Sequence, residues 1–453
     1  MIDTTLKPLR LLARSLGLAA FAAMAMSQTS AAADAPAPAA VEAPLTIEAA
    51  IQMAMQRDER IEQSRSDAEM AAAHQDRARS FFFPELNATG TYIRRPRETF
   101  RQIDGKQVVA QRFNAFQSNA QINVPLFWAA AIPLYRQARL EHEAAELSGA
   151  EQRRIVGYET ADAFVNVLTA QEIENAAKRR LAFAQERFLD ASERAEAGLV
   201  SSNDVTRGDL EVANAQHEYS LAQGQSLLAR TELGHLLIAE ITGELVSPIE
   251  LLQAASAQAI DEHSQQIAQG QRNRLDVQAG DKLVLASLQA AKEPRLRFIP
   301  RLTGNVLGRY TNEPGFTGLL FDWQAGATLS WPIWDGGIRA AEAHERDAYA
   351  KSQGLQQAAL RRTVTLDVRR ARLALHNARA TQAAALHARE VAERHTKETA
   401  ELYRQGLVRS LEVADANLKL FEAEVTWSRD RYALILAFLD LKMAVGERPP
   451  GVK

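Results

Sequence analysis

An internal duplication limits the possible folds of this chain more than any other feature of its sequence. Three pairs of blocks recur in the same order at a nearly constant offset: Gly198-Leu199-Val200 with Gly406-Leu407-Val408, Asn123-Val124-Pro125 with Ser330-Trp331-Pro332, and Phe83-Pro84 with Ile299-Pro300. One matching block could arise by chance, but three collinear blocks indicate two copies of one structural unit. The length alone would predict about three separate domains, but the duplication predicts two copies of one repeat instead.

Each copy contains two stretches in which apolar and polar residues alternate. In the second copy, Phe321, Trp323 and Ala325 alternate with Asp322 and Gln324. Alternation with a period of two predicts strands, which we place at about 85–95, 113–124, 301–311 and 321–331. Polar loops are expected between them, from about 96 to 106 and from 312 to 318. Four strands cannot close a barrel, so a membrane role would require several chains.

Long helices are expected after each strand pair. No proline occurs between Pro133 and Pro248, or between Pro332 and Pro449. Apolar residues follow a 3-4 spacing in corresponding positions of both copies: Val205, Gly208, Val212, Ala215, Tyr219 and Val413, Ala416, Leu420, Ala423, Trp427. This spacing is typical of a coiled-coil seam. It predicts helical hairpins at about 131–240, with a tip at 197–205, and at about 338–446, with a tip at 405–413. Ser202 and Ser410 are the expected N-caps of the returning helices.

The N-terminus has the layout of a secretory signal peptide. Lys7, Arg10 and Arg14 precede an apolar run, which is too short to span a bilayer, and small residues follow at Ala31 to Ala33. We expect a signal peptide at 1–33, a flexible lead-in rich in Ala and Pro at 34–44, and a C-terminal tail at 447–453. The chain is therefore expected to be exported.

Composition and motifs exclude several classes of function. Cysteine is absent, which excludes disulfides, Cys-ligated metals and thiol nucleophiles. A net charge of −3 argues against a nucleic-acid partner. The nine histidines show no metal-ligand spacing, and no nucleotide-binding or nucleophile-elbow motif is present. We therefore expect no enzyme activity, no cofactor and no metal site.

The order of these motifs resembles that of the TolC family of outer-membrane efflux proteins. The resemblance rests on the duplicated turns at 197–200 and 405–408, on the Pro332-Ile333-Trp334-Asp335-Gly336-Gly337 strand-to-helix turn, and on the strand starts at Pro84 and Pro300. It implies two repeats, 45–250 and 251–446, each made of a strand hairpin followed by a long α-helical hairpin. The implied fold is mostly α with a small β part. Three chains with this fold would form a trimer whose twelve-stranded β-barrel continues into a periplasmic α-helical barrel.

The resemblance also implies a function and partners. A homotrimer in the outer membrane of a Gram-negative bacterium would have most of its mass in the periplasm. It would act as the exit duct of a tripartite efflux or type I secretion system. A periplasmic adaptor (membrane fusion) protein would connect it to an inner-membrane pump of the resistance-nodulation-division, ABC or major facilitator type. The cargo and the class of pump are left open, and the channel itself would perform no chemistry.

Residues at the tips carry the site that the resemblance implies. An entrance gate and selectivity filter would include Asp204, Tyr403, Glu412 and Asp415. The adaptor would dock on the turn residues Gly198, Leu199, Val200, Ser201, Gly406, Leu407, Val408 and Arg409. The sequence departs from the family pattern at Val408, where an arginine is expected, and at Asn203, where a threonine is expected. The closed state is therefore expected to be held differently.

Two alternatives stay open at the level of sequence. Acidic residues near a helix N-terminus are favoured by the helix dipole, so Asp204, Glu412 and Asp415 could simply be solvated helix starts. A soluble periplasmic coiled-coil adaptor or scaffold would also account for the signal peptide and the long helices. Alternating aromatic strands favour the outer-membrane duct, because an adaptor has no need of Trp and Phe on one face of a sheet.

Overall fold

The computed structural model describes residues 39–103, 105–198, 200–257, 263–313 and 319–452. The expected signal peptide, 1–33, and part of the lead-in, 34–44, lie outside the described residues, as does Leu199 of the first tip. Nearly all described residues belong to one compact unit, Val41–Lys453. Among them, no helix is both long and apolar enough to cross a membrane.

Strands make up the smaller part of the fold. In chain order they are β1 (Ala39–Val41), β2 (Glu85–Arg94), β3 (Thr99–Ile103), β4 (Lys106–Gln111), β5 (Asn114–Phe127), β6 (Ala239–Ile241), β7 (Arg301–Thr311) and β8 (Phe321–Ser330). Four of them form an antiparallel sheet in the order β2-β5-β7-β8. Its central pair, β5 with β7, joins the first repeat to the second, so both copies build one sheet.

The sheet has two chemically different faces. Strand register places Leu86, Ile122, Val306 and Ala325 in one cross-strand row. A row on the opposite face contains Thr89, Asn119, Arg309 and Asp322. Apolar side chains of the sheet are largely exposed in the single chain, with Leu86 at 70% and Trp323 at 66%. Nothing in this chain covers that apolar face within the described residues.

The loop expected at about 96–106 is instead part of a two-stranded ribbon. β3 and β4 pair as an antiparallel hairpin between β2 and β5. Gly105 supplies the turn with a φ of +77°, a conformation that costs glycine little. Thr99, Phe100 and Val109 favour extended structure. The interleaved charged side chains hide this short alternation in the sequence, so the prediction of a loop was wrong here.

Helices account for most of the described chain. They are α1 (Ile47–Arg57), α2 (Glu59–Ser80), α3 (Ala131–Glu196), α4 (Ser202–Leu237), α5 (Ile249–Ala257), α6 (His263–Asn273), α7 (Leu275–Ala290), α8 (Glu293–Leu296), α9 (Ile338–Arg404) and α10 (Ser410–Ala444). The fold is thus mostly α with a small sheet. α3 and α9 have 66 and 67 residues, so each is about 100 Å long.

Two long hairpins dominate the helical part. α4 returns along α3, and α10 returns along α9. The returning helices are only 36 and 35 residues long, so each covers about half of its partner. The uncovered half of α3 packs against α2 and α7.

The main apolar core lies far from the tips of these hairpins. Tyr158 and Phe164 of α3 pack there with Leu233 of α4 and with Tyr432 and Leu439 of α10. Toward the first tip, the buried apolar cluster shrinks to three residues, Leu181, Ala184 and Ala215. Because little apolar surface is buried near the tips, polar and aromatic contacts make up a larger share of what holds the hairpins together there.

Candidate functional site

Both hairpins end in a turn of the same kind, and these two turns, 197–205 and 405–413, are called the tips below. Gly198 and Gly406 have φ values of +72° and +74°. In the second tip, the N–H of Gly406 donates to the Tyr403 carbonyl at 2.9 Å, and the N–H of Leu407 donates to the Leu402 carbonyl at 2.9 Å. This is a Schellman arrangement, in which a left-handed residue ends a helix. The repeated glycine therefore has the same local role in both copies.

Asp204 closes the first turn of α4. Its Oδ2 accepts a hydrogen bond from the Ser201 hydroxyl at 2.9 Å and one from the Ser201 backbone N–H at 3.3 Å. Ser201 is therefore the N-cap, and the expectation of Ser202 was wrong by one residue. Ser202 already has helical geometry, and it is Ser201 whose extended backbone starts the helix.

Asp204 also reaches across to the other hairpin. The Ser410 hydroxyl donates to Oδ1 of Asp204 at 3.1 Å. Ser410 is thus the first residue of α10, preceded by Arg409 as N-cap, and its side chain serves a contact between repeats instead of the expected capping role. The hydroxyl of Ser201, opposed by desolvation and assisted by Ser410, lowers the pKa of Asp204.

Tyr403, in the last turn of α9, lies between two arginines of α3. The guanidinium carbons of Arg187 and Arg194 are 4.9 and 5.2 Å from the centre of its ring. Asp190 binds both guanidiniums, at 3.7 Å to Arg187 and 3.0 Å to Arg194. The acidic side chain fixes the two cations, so that they can hold the ring by cation–π contacts.

Glu412 and Asp415 occupy a different position from Asp204 and Tyr403. Both are exposed side chains in the first turns of α10. Their spacing of three residues puts them on one face of the helix. Lys419, bound to Glu422 at 3.0 Å, also feels the charge of Asp415, and its pKa is raised, chiefly by Glu422. Among the described residues, no side-chain hydrogen bond or ion pair joins Glu412 or Asp415 to Asp204 or Tyr403.

A cavity of about 360 Å³ lies between the two hairpins, next to their tips. Asp204, Ser410 and Tyr403 line it, together with Phe183. Arg180 also lines it and forms ion pairs with Glu218 and Glu211 of α4. Residues of all four long helices therefore form the cavity wall. The side chains of the Asp204–Ser410 hydrogen bond and the ring of Tyr403 are part of this wall.

The residues expected to dock an adaptor lie at the outer end of the tips. Gly198, Ser201, Gly406, Leu407 and Arg409 are exposed, while Val200 and Val408 are half-buried. Leu407 exposes 68% of its surface. An exposed leucine on a tight turn is available for contact with another protein.

Sequence reasoning missed the Arg187, Asp190 and Arg194 group. Their spacing of three and four residues places them on one face of α3, which the sequence could have revealed. It could not reveal that this face meets a tyrosine more than 200 residues later. Elsewhere in the part of the chain that the structure describes, no group of three or more His, Cys, Asp or Glu side chains could hold a metal ion.

Comparison with known proteins identifies the family. The model of the outer membrane efflux protein family matches residues 50–237 and 254–447, which is most of the chain. The chain belongs to the outer membrane efflux protein family. The match falls into two segments, one in each repeat. Outer membrane protein TolC of Vibrio cholerae serotype O1 is 25% identical over an alignment of 387 residues that covers 82% of this chain and 83% of TolC.

Solved structures share the fold of this efflux protein. A membrane protein from Pseudomonas aeruginosa has a TM-score of 0.76 and 20% identity, covering 90% of this chain and 91% of the other. The CmeC outer membrane channel of Campylobacter jejuni has a TM-score of 0.73 and 16% identity, covering 88% and 85%. The open-state MtrE outer membrane channel of Neisseria gonorrhoeae has a TM-score of 0.72 and 16% identity, covering 90% and 91%.

Family membership decides the class of function. This efflux protein is an outer-membrane channel protein of a Gram-negative bacterium and not an enzyme. Its long helical hairpins form the periplasmic part. The alternative of a soluble periplasmic adaptor or scaffold does not agree with this family.

Proposed function

We propose that the chain is one protomer of a homotrimeric exit duct that passively conducts cargo across the periplasm and the outer membrane. Four strands from each of three copies would form a twelve-stranded β-barrel, and the helical hairpins would continue it as an α-helical barrel. The observation that carries the proposal is the two-faced sheet, which has an exposed apolar face, a polar face and two open edges at β2 and β8. Open edges are not tolerated in lipid, so neighbouring copies would have to pair with them.

Exposed apolar side chains on the helices support the same assembly. Leu221 and Leu228 of α4 expose 54% and 58% of their surfaces, and Leu355 and Leu373 of α9 expose 63% and 61%. Rows of exposed leucine on long helices are typical of surfaces that meet another protein. Helices of the neighbouring protomers would cover them in the trimer.

The adaptor protein would bind to the tips of the hairpins. An adaptor protein would dock on the exposed turn residues, with Leu407 as an apolar contact, and would connect the duct to an inner-membrane pump of the resistance-nodulation-division, ABC or major facilitator type. The two repeats, 45–250 and 251–446, would each supply one hairpin to the adaptor. The duct would then carry cargo delivered by the pump without performing chemistry.

The entrance would be closed by contacts between the two hairpins. Asp204 with Ser410, and Tyr403 with its two arginines, would hold the hairpins together in the resting state. Glu412 and Asp415 are exposed on one helix face, so three copies would place six carboxylates around one constriction. Such a ring would attract cations and repel anions.

The assembly is tested by its mass. Full-length protein would be extracted from outer membranes with a mild detergent, and its mass would be measured by light scattering with correction for detergent. The proposal predicts three chains in each particle, and it predicts that the protein is absent from the soluble periplasmic fraction. A monomer that is released without detergent would contradict it.

A further inference from the structure

The β3–β4 ribbon lies at the end of the sheet that is farthest from the long helices. β2 begins shortly after α2, β5 ends shortly before α3, and the ribbon connects the opposite ends of these strands. The ten residues of β2 extend about 33 Å, close to the ~30 Å hydrocarbon core of a bilayer. Because the helices are periplasmic, the ribbon would emerge at the outer surface. This orientation rests on the proposed function.

The ribbon and its flanks have a charge opposite to that of the chain. Residues 94–112 contain six basic side chains and two acidic ones, a net charge of +4 within a chain whose net charge is −3. The basic residues are Arg94, Arg95, Arg97, Arg101, Lys106 and Arg112. Such a concentration of arginine within nineteen residues creates a local positive potential.

One acidic residue anchors the base of the ribbon. Glu313, just after β7, accepts hydrogen bonds from the Arg95 guanidinium and from the Arg112 backbone N–H, both at 2.5 Å. Arg94 is held differently, with its guanidinium 4.9 Å from the centre of the Phe113 ring. These contacts fix the ribbon relative to the sheet, and, against desolvation of the carboxylate, the hydrogen bonds and charges of both Arg95 and Arg112 lower the pKa of Glu313. The side chains of Arg97, Arg101 and Arg112 are exposed.

The ribbon also presents an apolar pair. Phe100 and Val109 are direct cross-strand partners, so their side chains lie on the same face, and they expose 55% and 38% of their surfaces. Arg101, the next residue along β3, points to the opposite face. A surface with exposed apolar groups next to cations suits the boundary between lipid headgroups and acyl chains.

We propose that this ribbon binds the phosphate groups of phosphorylated lipids in the outer leaflet of the membrane. The guanidinium group of arginine presents paired donors that match phosphate oxygens, and it is less strongly hydrated than an ammonium group. Phe100 and Val109 would contact the acyl region while the arginines bind the headgroups. Three copies would place three such ribbons around the outer rim of the duct.

The test uses full-length protein in a neutral detergent with two probes, diphosphoryl lipid A and the same lipid with both phosphates removed. Each basic side chain near an anionic surface contributes about fivefold in affinity, so R97Q/R101Q/R112Q should weaken the binding of diphosphoryl lipid A on the order of 100-fold. The variant R362Q/R370Q/R394Q removes the same charge from exposed positions on α9 and should bind like the wild type. The variant R97K/R101K/R112K keeps the charge but loses the paired donors, so its affinity should lie between those of the wild type and R97Q/R101Q/R112Q.

Two results would overturn the inference: equal binding of the dephosphorylated probe, or equal loss of affinity in the ribbon and control variants. The same preparations are inserted into planar bilayers to separate this inference from the proposed function. Wild-type and ribbon-variant protein should conduct alike, which also shows that the variant is folded. If both conduct and neither distinguishes the two lipids, only the lipid inference fails. If neither the wild type nor the variants S410A and Y403A conduct, the proposed duct fails and the inference fails with it.

Discussion

The Ser410 hydroxyl donates a 3.1 Å hydrogen bond to Oδ1 of Asp204, and this bond connects the tips of the two repeats. Asp204 uses its other oxygen to accept from Ser201 in its own tip. A single carboxylate therefore both starts α4 and connects it to α10. Between these half-buried side chains, such a bond is strong enough to bias an equilibrium between joined and separated hairpins but too weak to lock it.

Removing the hydroxyl of Ser410 should make the hairpins separate more readily. S410A loses one half-buried hydrogen bond to a charged group in each protomer, which is worth about 1.5 kcal/mol, or about twelvefold per protomer in the ratio of open to closed channels. Open probability in planar bilayers measures this ratio. S202A is the matched control, because Ser202 is exposed and only its backbone carbonyl, not its hydroxyl, accepts the bond from Thr206. Equal open probabilities for S410A and S202A would count against a role of this bond in closure.

The backbone amides of the first tip should exchange their hydrogens faster at acidic pH. The folded-state pKa of Asp204 is lowered, chiefly by the Ser201 hydroxyl. Its contribution to stability is therefore complete above the unfolded pKa of ~3.9 and is lost as the pH falls through the lower folded value. Hydrogen exchange at 197–205, corrected for intrinsic rates, should accelerate below about pH 4 in the wild type. D204N should lack this step, and an unchanged pH profile in D204N would show that another group is responsible.

The ring of Tyr403, more than its hydroxyl, should hold the second tip. Each exposed cation–π contact contributes about 0.5–1 kcal/mol, and Tyr403 makes two of them. Y403F keeps both contacts and should behave like the wild type, whereas Y403A should raise the ratio of open to closed channels about five- to thirtyfold per protomer. If Y403F opens as readily as Y403A, then a hydrogen bond of the hydroxyl is what matters and the stacking account is wrong.

Two glycines of α4 should respond differently to substitution by alanine. A Cβ added at Gly208 would lie 3.3 Å from the Cα of Phe188, whereas one added at Gly224 would meet nothing within 4 Å. Both changes gain up to ~1 kcal/mol in helix propensity, but only G208A must push α3 and α4 apart. G224A should raise the apparent Tm, and G208A should give a lower value than G224A. Identical shifts would mean that the hairpin tolerates the added methyl group.

The exposed acids of α10 should set ion selectivity. E412Q/D415N removes six charges from the proposed ring and should move the reversal potential in a salt gradient toward zero. E390Q/E398Q removes the same charge from exposed positions on α9 and should leave selectivity unchanged. A reversal potential that is the same in both variants would remove Glu412 and Asp415 from the entrance.

Local patterns made much of the fold predictable. Alternation in β8 depends on neighbours two residues apart, and the 3-4 spacing around Ala215 depends on one helix face. In the structure Ala215 is buried, with Val212 and Tyr219 packed against its cluster. The β3–β4 ribbon was not predicted, because its arginines interrupt the alternation of apolar and polar residues. The sequence did not predict that Arg187 and Arg194 contact Tyr403, because these residues belong to different repeats. No rule of residue spacing tells which parts of two repeats meet in space.

The recording of single channels from purified full-length protein in a planar bilayer tests the central claim most directly. The account predicts discrete, long-lived conductance steps from the three-chain particle, with cations preferred over anions. Three-chain particles that enter the bilayer and conduct no ions, even after the S410A and Y403A changes, would contradict the claim that this chain forms a duct.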